Sequence, residues 1–322
     1  MRLAIVSICK DEEKTIKELI NRIPKKIKGI SLIEIIIIND GSIDKTAEIA
    51  KQVGATVYGN NTSKGLAFRF REAVTTVLRN NFDIMVNIDG DLQFAPEDIP
   101  KFVAPIVDDS ADFVAADRFT DPVTGRRRRP ENMPAAKYYG NKLGSWLVGR
   151  LSHQDFRDVT CGFRAYSQTA LYALNTNGSH TYTQESFQML AAKRMRIKAL
   201  PVNVKYFKDR KSRVVTSIPK YVAVSAINIV RAFRDFAPLR FFMLLGAIPF
   251  VIGFGCLIFM GVYWLQTHNF SPYKFIGFSG IYLVTMGIFF WAQGLVADMQ
   301  VRVMNNQEKA YEEIRRLSHR IK

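Results

Sequence analysis

Two long apolar segments in the C-terminal third of the chain constrain its fold more than any other feature. Phe241–Leu265 and Phe275–Ala297 contain no charged residue, and Gln293 is the most polar member of the second segment. A helix needs about 20 apolar residues to cross a bilayer core, and both segments meet that length. Core helices of soluble proteins rarely stay uncharged on every side for so long, so we expect two membrane-spanning helices rather than two buried core helices. Both segments lie far from the N-terminus, so neither is expected to be a signal peptide.

The two expected spans form a hairpin, because only the short segment Gln266–Lys274 joins them. Both flanks of a hairpin lie on the same side of the membrane, and both flanks here are basic: Arg231, Arg234, Arg240, Arg302 and Lys309. Because basic flanks favour the cytoplasmic side, we expect an integral inner-membrane protein whose N-terminal domain and C-terminal tail are cytoplasmic. Pro219–Phe236 mixes apolar and basic residues and is expected to be an amphipathic helix in the headgroup layer.

The charge balance narrows the class of partner. The chain carries 45 Lys and Arg residues against 29 Asp and Glu residues, a formal net charge of +16. Such an excess predicts an anionic partner: nucleic acid, a phosphorylated ligand or an acidic membrane surface. The expected membrane hairpin disfavours nucleic acid. The spacing of the three cysteines suits neither a disulfide framework nor a zinc site, which is compatible with a reducing cytoplasm.

The N-terminal part of the chain alternates predicted strands and helices. Apolar segments predict strands at Leu3–Ser7, Ile33–Ile38, Thr56–Tyr58, Ile84–Asp89 and Phe113–Ala116. Helices are predicted in between, from a cap at Asp11 through Ile23, and over Asp44–Val53, Gly65–Arg79 and Pro96–Val107, with a further helix near Pro134–Arg150. This alternation predicts a doubly wound, Rossmann-like α/β domain whose ligands bind at the carboxyl ends of the strands.

We divide the chain accordingly. The α/β domain is expected over residues 1–215 and the interfacial helix over 216–240. The two spans are expected within 241–297, at 241–265 and 275–297, and a charged cytoplasmic helix over 298–322.

A pair of acidic residues follows one of the buried strands. Asn87–Gln93 contains the carboxylates of Asp89 and Asp91 and the carboxamide of Gln93. Such oxygen ligands bind hard divalent cations, and Mg²⁺ or Mn²⁺ often bridges a carboxylate to substrate phosphates. The alternative is a solvated acidic turn, because an Asp-x-Asp pair on its own is common.

Two further segments combine a strand end with a helix start. In Asn39–Thr46, Asp40 can accept hydrogen bonds from a nucleobase or ribose, while Asp44 or Ser42 can cap the following helix. A capped turn without a ligand would account for Asp44 but would not require Asp40.

In Asn61–Arg69, Lys64 lies at a helix N-terminus, where free N–H groups and the helix dipole attract anions. Lys64 could therefore hold a diphosphate, with Arg69 one turn later. The alternative for both is an ordinary solvated cation.

These segments together resemble the catalytic domain of glycosyltransferase family 2, which has the GT-A fold. The resemblance covers about residues 3–215 and rests on four motifs in the order of the family: NDGSIDKT, Lys-Gly-x-Ala-x-Arg, DGDLQ with Pro96-Glu97-Asp98, and Asp158–Arg164. The layout of the chain, in which Ala237–Arg240 leads into a two-helix membrane hairpin, resembles that of the polyprenyl-phosphate branch of the family. This branch includes dolichol-phosphate mannose synthases and undecaprenyl-phosphate sugar transferases.

The resemblance implies an enzyme with three sets of site residues. The donor, a UDP- or GDP-linked sugar, would contact Asp11, Glu12, Asp40, Lys64 and Asp89. Mg²⁺ or Mn²⁺ would be held by Asp89, Asp91 and Gln93. The acceptor phosphate, on undecaprenol or dolichol, would contact Arg118, Lys137, Asn141 and Arg213, with Asp158 and Arg118 as the catalytic pair.

The implied chemistry is a single inverting displacement at the anomeric carbon. An acceptor phosphate is mostly ionised near neutral pH, because its second pKa is about 6, so a strong general base is less necessary than for a hydroxyl acceptor. Asp158 is therefore expected to orient the acceptor site or its arginines as much as to remove a proton. Arg126–Arg129 fits either the acceptor site or an anchor to lipid headgroups.

The chain departs from the family at three points. Ser7–Glu12 lacks the usual Pro and Tyr-Asn before the acidic residue, Arg71 stands where Gly is common, and the Gln-x-x-Arg-Trp motif of processive synthases is absent. The last point argues against a polymerising enzyme.

The sequence alone leaves other interpretations of the function open. One is a non-catalytic, membrane-anchored nucleotide-sugar-binding or scaffold protein on the same fold. A dinucleotide-dependent oxidoreductase would need Gly-x-Gly-x-x-Gly after the first strand, where this chain has Ser-Ile-Cys-Lys-Asp-Glu. The oligomeric state is open, although a small hairpin often gains from packing against copies of itself, so a homo-oligomer is one alternative.

Overall fold

The computed structural model describes residues 1–152, 154–175, 182–206, 230–231, 233–235 and 237–320. The chain divides into two compact units, one formed by Met1–Val222 with Glu312–Lys322 and the other by Ala223–Tyr311. Arg213 and most of the predicted interfacial helix Pro219–Phe236 lie outside the described residues.

The first unit is built on seven strands. These are β1 (Arg2–Cys9), β2 (Leu32–Asp40), β3 (Thr56–Asn60), β4 (Ile84–Asn87), β5 (Phe113–Asp117), β6 (Arg164–Ser167) and β7 (Ile197–Pro201). The helices between them are α1 (Ile16–Arg22), α2 (Thr46–Gln52), α3 (Leu66–Arg79), α4 (Ile99–Val107), α5 (Ala135–Ser152), α6 (Gln168–Ala173) and α7 (Thr183–Ala192).

The strands form one sheet in the order β3-β2-β1-β4-β6-β5-β7. All neighbouring pairs are parallel except those of β6, which runs antiparallel to both β4 and β5. The order of the strands reverses between β1 and β4, and in open α/β sheets a ligand crevice forms outside the carboxyl ends at such a reversal. The sheet therefore directs the loops after β1, β2 and β4 to one edge.

Helices cover both faces of the sheet. On one face α1 and α4 pack on the sheet through buried residues such as Leu19 and Phe102, and on the other face α3 and α7 contribute residues such as Phe70 and Phe187. The inner segment of β2, Ile36–Ile38, is buried on both sides, as its β-branched run predicts. The predicted α/β class is thus confirmed, with one antiparallel strand that the alternation of elements did not predict.

The predicted cap of the first helix is wrong. The helix α1 begins at Ile16 after Thr15, so Asp11 lies too far upstream to accept its free N–H groups. Asp11 instead adopts a left-handed backbone with φ of 52°, and its carboxylate accepts the N–H of Ile43 at 2.8 Å. At α2 the N-cap residue is Lys45, which makes no side-chain cap hydrogen bond, so neither Asp44 nor Ser42 is the N-cap residue. The Asp44 carboxylate instead accepts the N–H of Thr46, the first residue of the helix, at 2.9 Å.

The second unit contains two apolar helices. Pro238–Thr267 and the N-terminal part of Lys274–Arg320 are long and apolar enough to cross a membrane. Their backbones approach closely at glycines: a Cβ at Gly246 would lie 2.7 Å from the carbonyl oxygen of Gly287, and a Cβ at Gly253 would lie 2.7 Å from that of Gly280. Small residues that allow such an approach are typical of helix pairs in membranes.

Candidate active site

Asp40, at the end of β2, organises the loop that leads into α3. Its buried carboxylate accepts hydrogen bonds from the Lys64 N–H at 2.7 Å and the Ser63 hydroxyl at 2.9 Å. The Nε of Arg69, a side chain that is 1% exposed, donates to it at 3.0 Å. Burial alone would raise the pKa of Asp40, but these hydrogen bonds outweigh burial and lower the pKa. Asp40 therefore shapes the loop that leads into α3, and its contact with a nucleoside stays a prediction.

The loop after β1 is fastened to its neighbours on both sides. The N–H of Asp11 donates to the Ser42 hydroxyl at 3.0 Å, which joins this loop to the one after β2. The Thr15 hydroxyl lies 2.8 Å from the Gly90 carbonyl oxygen and 3.2 Å from the Glu12 carboxylate. The predicted donor residues Asp11 and Glu12 thus lie between the loop after β2 and the acidic turn.

The acidic turn follows β4 and is partly exposed. Asp91 accepts the backbone N–H of Gln93 at 3.1 Å, and the intervening Leu92 has a left-handed φ of 58°. The Asp89 carboxylate lies against Gly162, where an added Cβ would be 2.7 Å from Oδ1. A left-handed non-glycine residue is uncommon and such residues cluster at functional turns. The absence of a Cβ at Gly162 is therefore what allows the Asp89 carboxylate to lie against this backbone.

The oxygens of the acidic turn suit a hard divalent cation, but they are too few to hold one without further ligands. Two carboxylates and a carboxamide at one partly exposed turn are the ligand types that Mg²⁺ and Mn²⁺ accept. Within the described ranges, no group of three or more His, Cys, Asp or Glu side chains could hold a metal. A cation at Asp89 and Asp91 would therefore need Gln93 and oxygens of a bound substrate, which fits a metal that arrives with a diphosphate.

Arg118 and Asp158 form a buried, bidentate ion pair beside the acidic turn. The Arg118 Nε lies 2.6 Å from Oδ2 of Asp158, and its Nη2 lies 2.9 Å from Oδ1. Thr160 stabilises both partners, because its N–H donates to Asp158 at 3.1 Å and its hydroxyl accepts from Arg118 at 2.7 Å. Burial opposes both charges, yet the Arg118 charge lowers the pKa of Asp158, and the Asp158 charge holds the pKa of Arg118 well above its usual value. Both carboxylate oxygens of Asp158 thus accept hydrogen bonds from within the protein.

Tyr206 connects the two predicted acceptor cations. Its hydroxyl accepts from Nη1 of Arg118 at 3.0 Å, and the Lys137 ammonium lies 5.2 Å from the centre of its ring. Burial and then the charge of Arg118 lower the pKa of Lys137, against the opposing charges of Asp91, Asp158 and Asp89. The two cations therefore lie close enough to the acidic turn for Lys137 to interact with its charges.

The remaining predicted residues divide between site and surface. Asn141 is buried on α5, one turn after Lys137. The Lys64 side chain is exposed, with its ammonium 4.6 Å from the centre of the Phe68 ring. Arg128, within the run Arg126–Arg129, turns inward to pair with Asp121 at 2.8 Å, whereas the other three arginines of the run are exposed.

The sequence predicted that Arg69 holds a diphosphate beside Lys64 or is an ordinary solvated cation, and both predictions are wrong: its side chain is 1% exposed and pairs with Asp40 and Glu72. Arg164 and Tyr206 were not assigned a role from the sequence. Arg69 holds the loop before α3, and Arg164 holds the loop before β6 by donating to the carbonyl oxygens of Cys161 at 2.7 Å and Val159 at 3.0 Å. Each arginine interrupts an otherwise apolar face, which is the signal that could have found them. Tyr206 carries no such signal, because it follows Val202 and Val204 in an alternating apolar segment, where an aromatic residue is ordinary.

Comparison with known protein families identifies the family of the chain. The sequence profile of Glycosyl transferase family 2 matches residues 4–174, more than half of the chain. The chain belongs to this family. It is a glycosyltransferase, and the match contains the loops that carry Asp40, Asp91, Arg118 and Asp158.

Relatives of this glycosyltransferase include enzymes named for lipid-phosphate acceptors. It is 28% identical to the UDP-N-acetylglucosamine–dolichyl-phosphate N-acetylglucosaminyltransferase of Methanococcus voltae, over 70% of this chain and 90% of the relative. It is 24% identical to the undecaprenyl-phosphate 4-deoxy-4-formamido-L-arabinose transferase of Pectobacterium carotovorum, over 79% of this chain and 76% of the relative.

A solved structure shares the fold of this glycosyltransferase. The glucosyl-3-phosphoglycerate synthase of Mycobacterium tuberculosis, solved in complex with Mn²⁺, UDP and glucosyl-3-phosphoglycerate, superposes with a TM-score of 0.54. The likeness covers 71% of this chain and 79% of that protein at 17% identity, so it supports the fold alone.

Proposed function

We propose that this glycosyltransferase transfers a sugar from a nucleotide sugar to the phosphate of a polyprenol at a membrane surface. The observation that carries the proposal is that Lys137 contacts the Tyr206 ring, which binds Arg118, and is close enough to Asp89 and Asp91 to feel their charges. One region thus offers cations for an acceptor phosphate and oxygens for a donor-bound metal, in a chain with two helices long enough to cross a membrane. The acceptors named for two relatives support the same class, undecaprenyl or dolichyl phosphate.

The donor half of the site is the acidic turn with the loops after β1 and β2. We assign Asp11, Glu12 and Asp40 to the nucleoside side and Lys64 to the diphosphate. Asp89, Asp91 and Gln93 would hold Mg²⁺ or Mn²⁺, which would neutralise charge on the leaving diphosphate. The relative named for a UDP-linked donor supports a nucleotide-sugar donor.

The chemistry proposed for the acceptor half of the site explains why Asp158 is paired with Arg118. An acceptor phosphate oxygen attacks the anomeric carbon, the bond from that carbon to the nucleoside diphosphate breaks, and the configuration inverts. The nucleophile is already mostly ionised near neutral pH, since its second pKa is about 6. Asp158 is then a positioning residue: it fixes the guanidinium of Arg118, which with Lys137 and Arg213 offsets the repulsion between the two phosphorylated substrates.

Membrane association follows from the acceptor. A polyprenyl phosphate keeps its chain in the bilayer and its phosphate in the headgroup layer, so the catalytic domain must work at that surface. The basic flanks of the two apolar helices favour a cytoplasmic catalytic domain and cytoplasmic termini. We assign the segment 216–240 to the interfacial helix on the same basis.

The proposal is tested with the purified full-length chain in nanodiscs. Radiolabelled UDP- and GDP-linked sugars are each incubated with undecaprenyl phosphate, with dolichyl phosphate and with the unphosphorylated alcohol. We expect label in the organic phase with one nucleotide sugar, release of nucleoside diphosphate, and no product from the alcohol. Equal transfer to the alcohol, or label that stays in the aqueous phase, would overturn the acceptor assignment.

Steady-state kinetics then separate the two halves of the site. Replacing Arg118 with Ala should raise the KM for lipid by about tenfold to a hundredfold, because a hydrogen bond to a charged group contributes roughly 1.5–3 kcal/mol. The KM for the nucleotide sugar should change much less. Nucleotide binding by the wild type without any turnover would instead favour the non-catalytic alternative.

A further inference from the structure

The helix α5 has an exposed apolar stripe on the side away from its buried polar residues. Tyr139, Leu143 and Trp146 are 64%, 52% and 60% exposed, although each is a large hydrophobic residue. Their spacing puts them on one face of the helix. The opposite face carries Asn141 and Ser145, which are buried. The stripe is thus separate from the acceptor side of the same helix.

A cavity of about 290 Å³ lies along this stripe. Besides the three apolar residues it is lined by Phe156 and by four charged residues: Arg127, Lys142, Asp155 and Arg157. Arg157 is held in place, because it donates to the Thr120 hydroxyl at 2.8 Å, whereas Arg127 and Lys142 are exposed. Three cations against one carboxylate give the cavity a net positive charge.

The charge decides between the candidate occupants of this surface. Two copies of the chain joined through the same face would bring like charges together, which disfavours association. An anionic phospholipid surface has the complementary charge, and the same chain carries two helices long enough to enter a bilayer. Basic residues interleaved with Trp and Leu on one helix face are typical of helices that lie in the headgroup layer.

We propose that the α5 surface, defined as Arg127, Tyr139, Lys142, Leu143, Trp146 and Arg157, docks on anionic phospholipid. The stripe enters the boundary between headgroups and acyl chains, and the basic cavity receives the phosphate of one headgroup. This surface is distinct from the pocket of Arg118 and Lys137, so the proposal holds whether or not the acceptor is a polyprenyl phosphate.

The test uses the full-length chain in nanodiscs and the fluorescence of Trp146. Bromine-labelled phosphatidylglycerol or phosphatidylcholine is titrated into unlabelled phosphatidylcholine, and the part of the quenching that depends on Trp146 is the difference between wild type and Trp146→Phe. Each basic residue near an anionic surface favours association by about fivefold. We therefore expect half-maximal quenching at a mole fraction of phosphatidylglycerol at least about fivefold below that of phosphatidylcholine.

Matched charge variants make the result specific. Lys142→Glu should bring the two midpoints together, whereas Lys51→Glu, which reverses an exposed lysine of α2, should leave them apart. Both residues are exposed, and unchanged melting temperatures would show that the variants fold. Equal midpoints in the wild type would overturn the role of anionic headgroups. An absence of Trp146-dependent quenching by either lipid would overturn the membrane contact itself, and accompanying crosslinks between α5 helices would assign the surface to a second copy.

Discussion

Replacing Asp158 with Asn distinguishes a positioning carboxylate from a catalytic base. The variant keeps the shape of the side chain but removes the charge that Arg118 faces through two hydrogen bonds, at 2.6 and 2.9 Å. It also turns an acceptor oxygen into an NH₂ group, which cannot accept from a guanidinium. The expected consequence is an unpaired, misoriented Arg118 in the acceptor pocket.

The burial of the pair sets the size of the effect. The side chains of Arg118 and Asp158 are 8% and 0% exposed, so water does not replace the lost partner. Breaking a buried ion pair from one side costs roughly 3–5 kcal/mol. For a domain of this size 1 kcal/mol shifts the melting temperature by about 2–4 °C, so we expect Asp158→Asn to lower it by on the order of 10 °C.

The pH dependence of this loss follows from the sign of the pKa shift. The pKa of Asp158 is lowered in the folded protein, so its stabilising effect is complete above the unfolded value of about 3.9 and disappears only as the pH falls through the folded pKa. The difference in melting temperature between wild type and Asp158→Asn should therefore be constant between pH 6 and 9.

The assays are thermal unfolding in detergent and steady-state kinetics in nanodiscs at several pH values. As a control, Asp112→Asn breaks a pair with Arg196 that is 48% exposed on the arginine side, so its cost should stay below about 1 kcal/mol. We expect Asp158→Asn to raise the KM for lipid and to retain the pH profile of the wild type. A thousandfold loss of kcat with unchanged stability and lipid KM, together with loss of the acidic limb of the profile, would refute the positioning role.

Three further outcomes are expected. Asp91→Ala should abolish transfer without lowering the melting temperature, and excess EDTA should do the same to the wild type; full turnover in EDTA would contradict the metal role. Tyr206→Phe should weaken lipid binding by about tenfold, because Arg118 loses one charge-assisted partner, while the retained ring preserves the fold, as a melting curve can verify. Gly162→Ala should weaken the metal dependence of nucleotide binding, measured by calorimetry with and without Mn²⁺, because the added methyl group displaces the Asp89 carboxylate; unchanged binding would mean that Asp89 does not need this cradle.

Several features of the fold were predictable from local patterns. The β-branched run at Ile33–Ile38 predicted a buried strand, and the turn Asp89–Gln93 was expected at a strand end, where it lies. The first helical cap was not predictable in this way, because Asp11 is drawn to the Ile43 N–H on the neighbouring loop. The free N–H groups of a helix compete for a capping carboxylate with every other donor that the tertiary structure brings near it. The sequence alone does not show which donors those are.

The candidate site was predictable as a set of residues and not as an arrangement. The resemblance to the family predicted that Arg118, Lys137 and Asp158 belong to one site, but their mutual roles depend on contacts between distant parts of the chain. Arg118 lies 40 residues before Asp158 and 88 residues before Tyr206, yet it contacts both. Tyr206 could not be found from the sequence, since nothing in its own segment distinguishes it.

The sequence by itself determined the α/β class, the two apolar helices and the loops that carry charge, because hydrophobic periodicity and turn chemistry act over a few residues. Only the tertiary structure decided that β6 runs antiparallel, that Arg69 and Arg164 are buried, and that Asp158 is neutralised by Arg118. The last two outcomes follow from desolvation: a charge removed from water must find a partner, and which partner it finds depends on the packing of the whole domain.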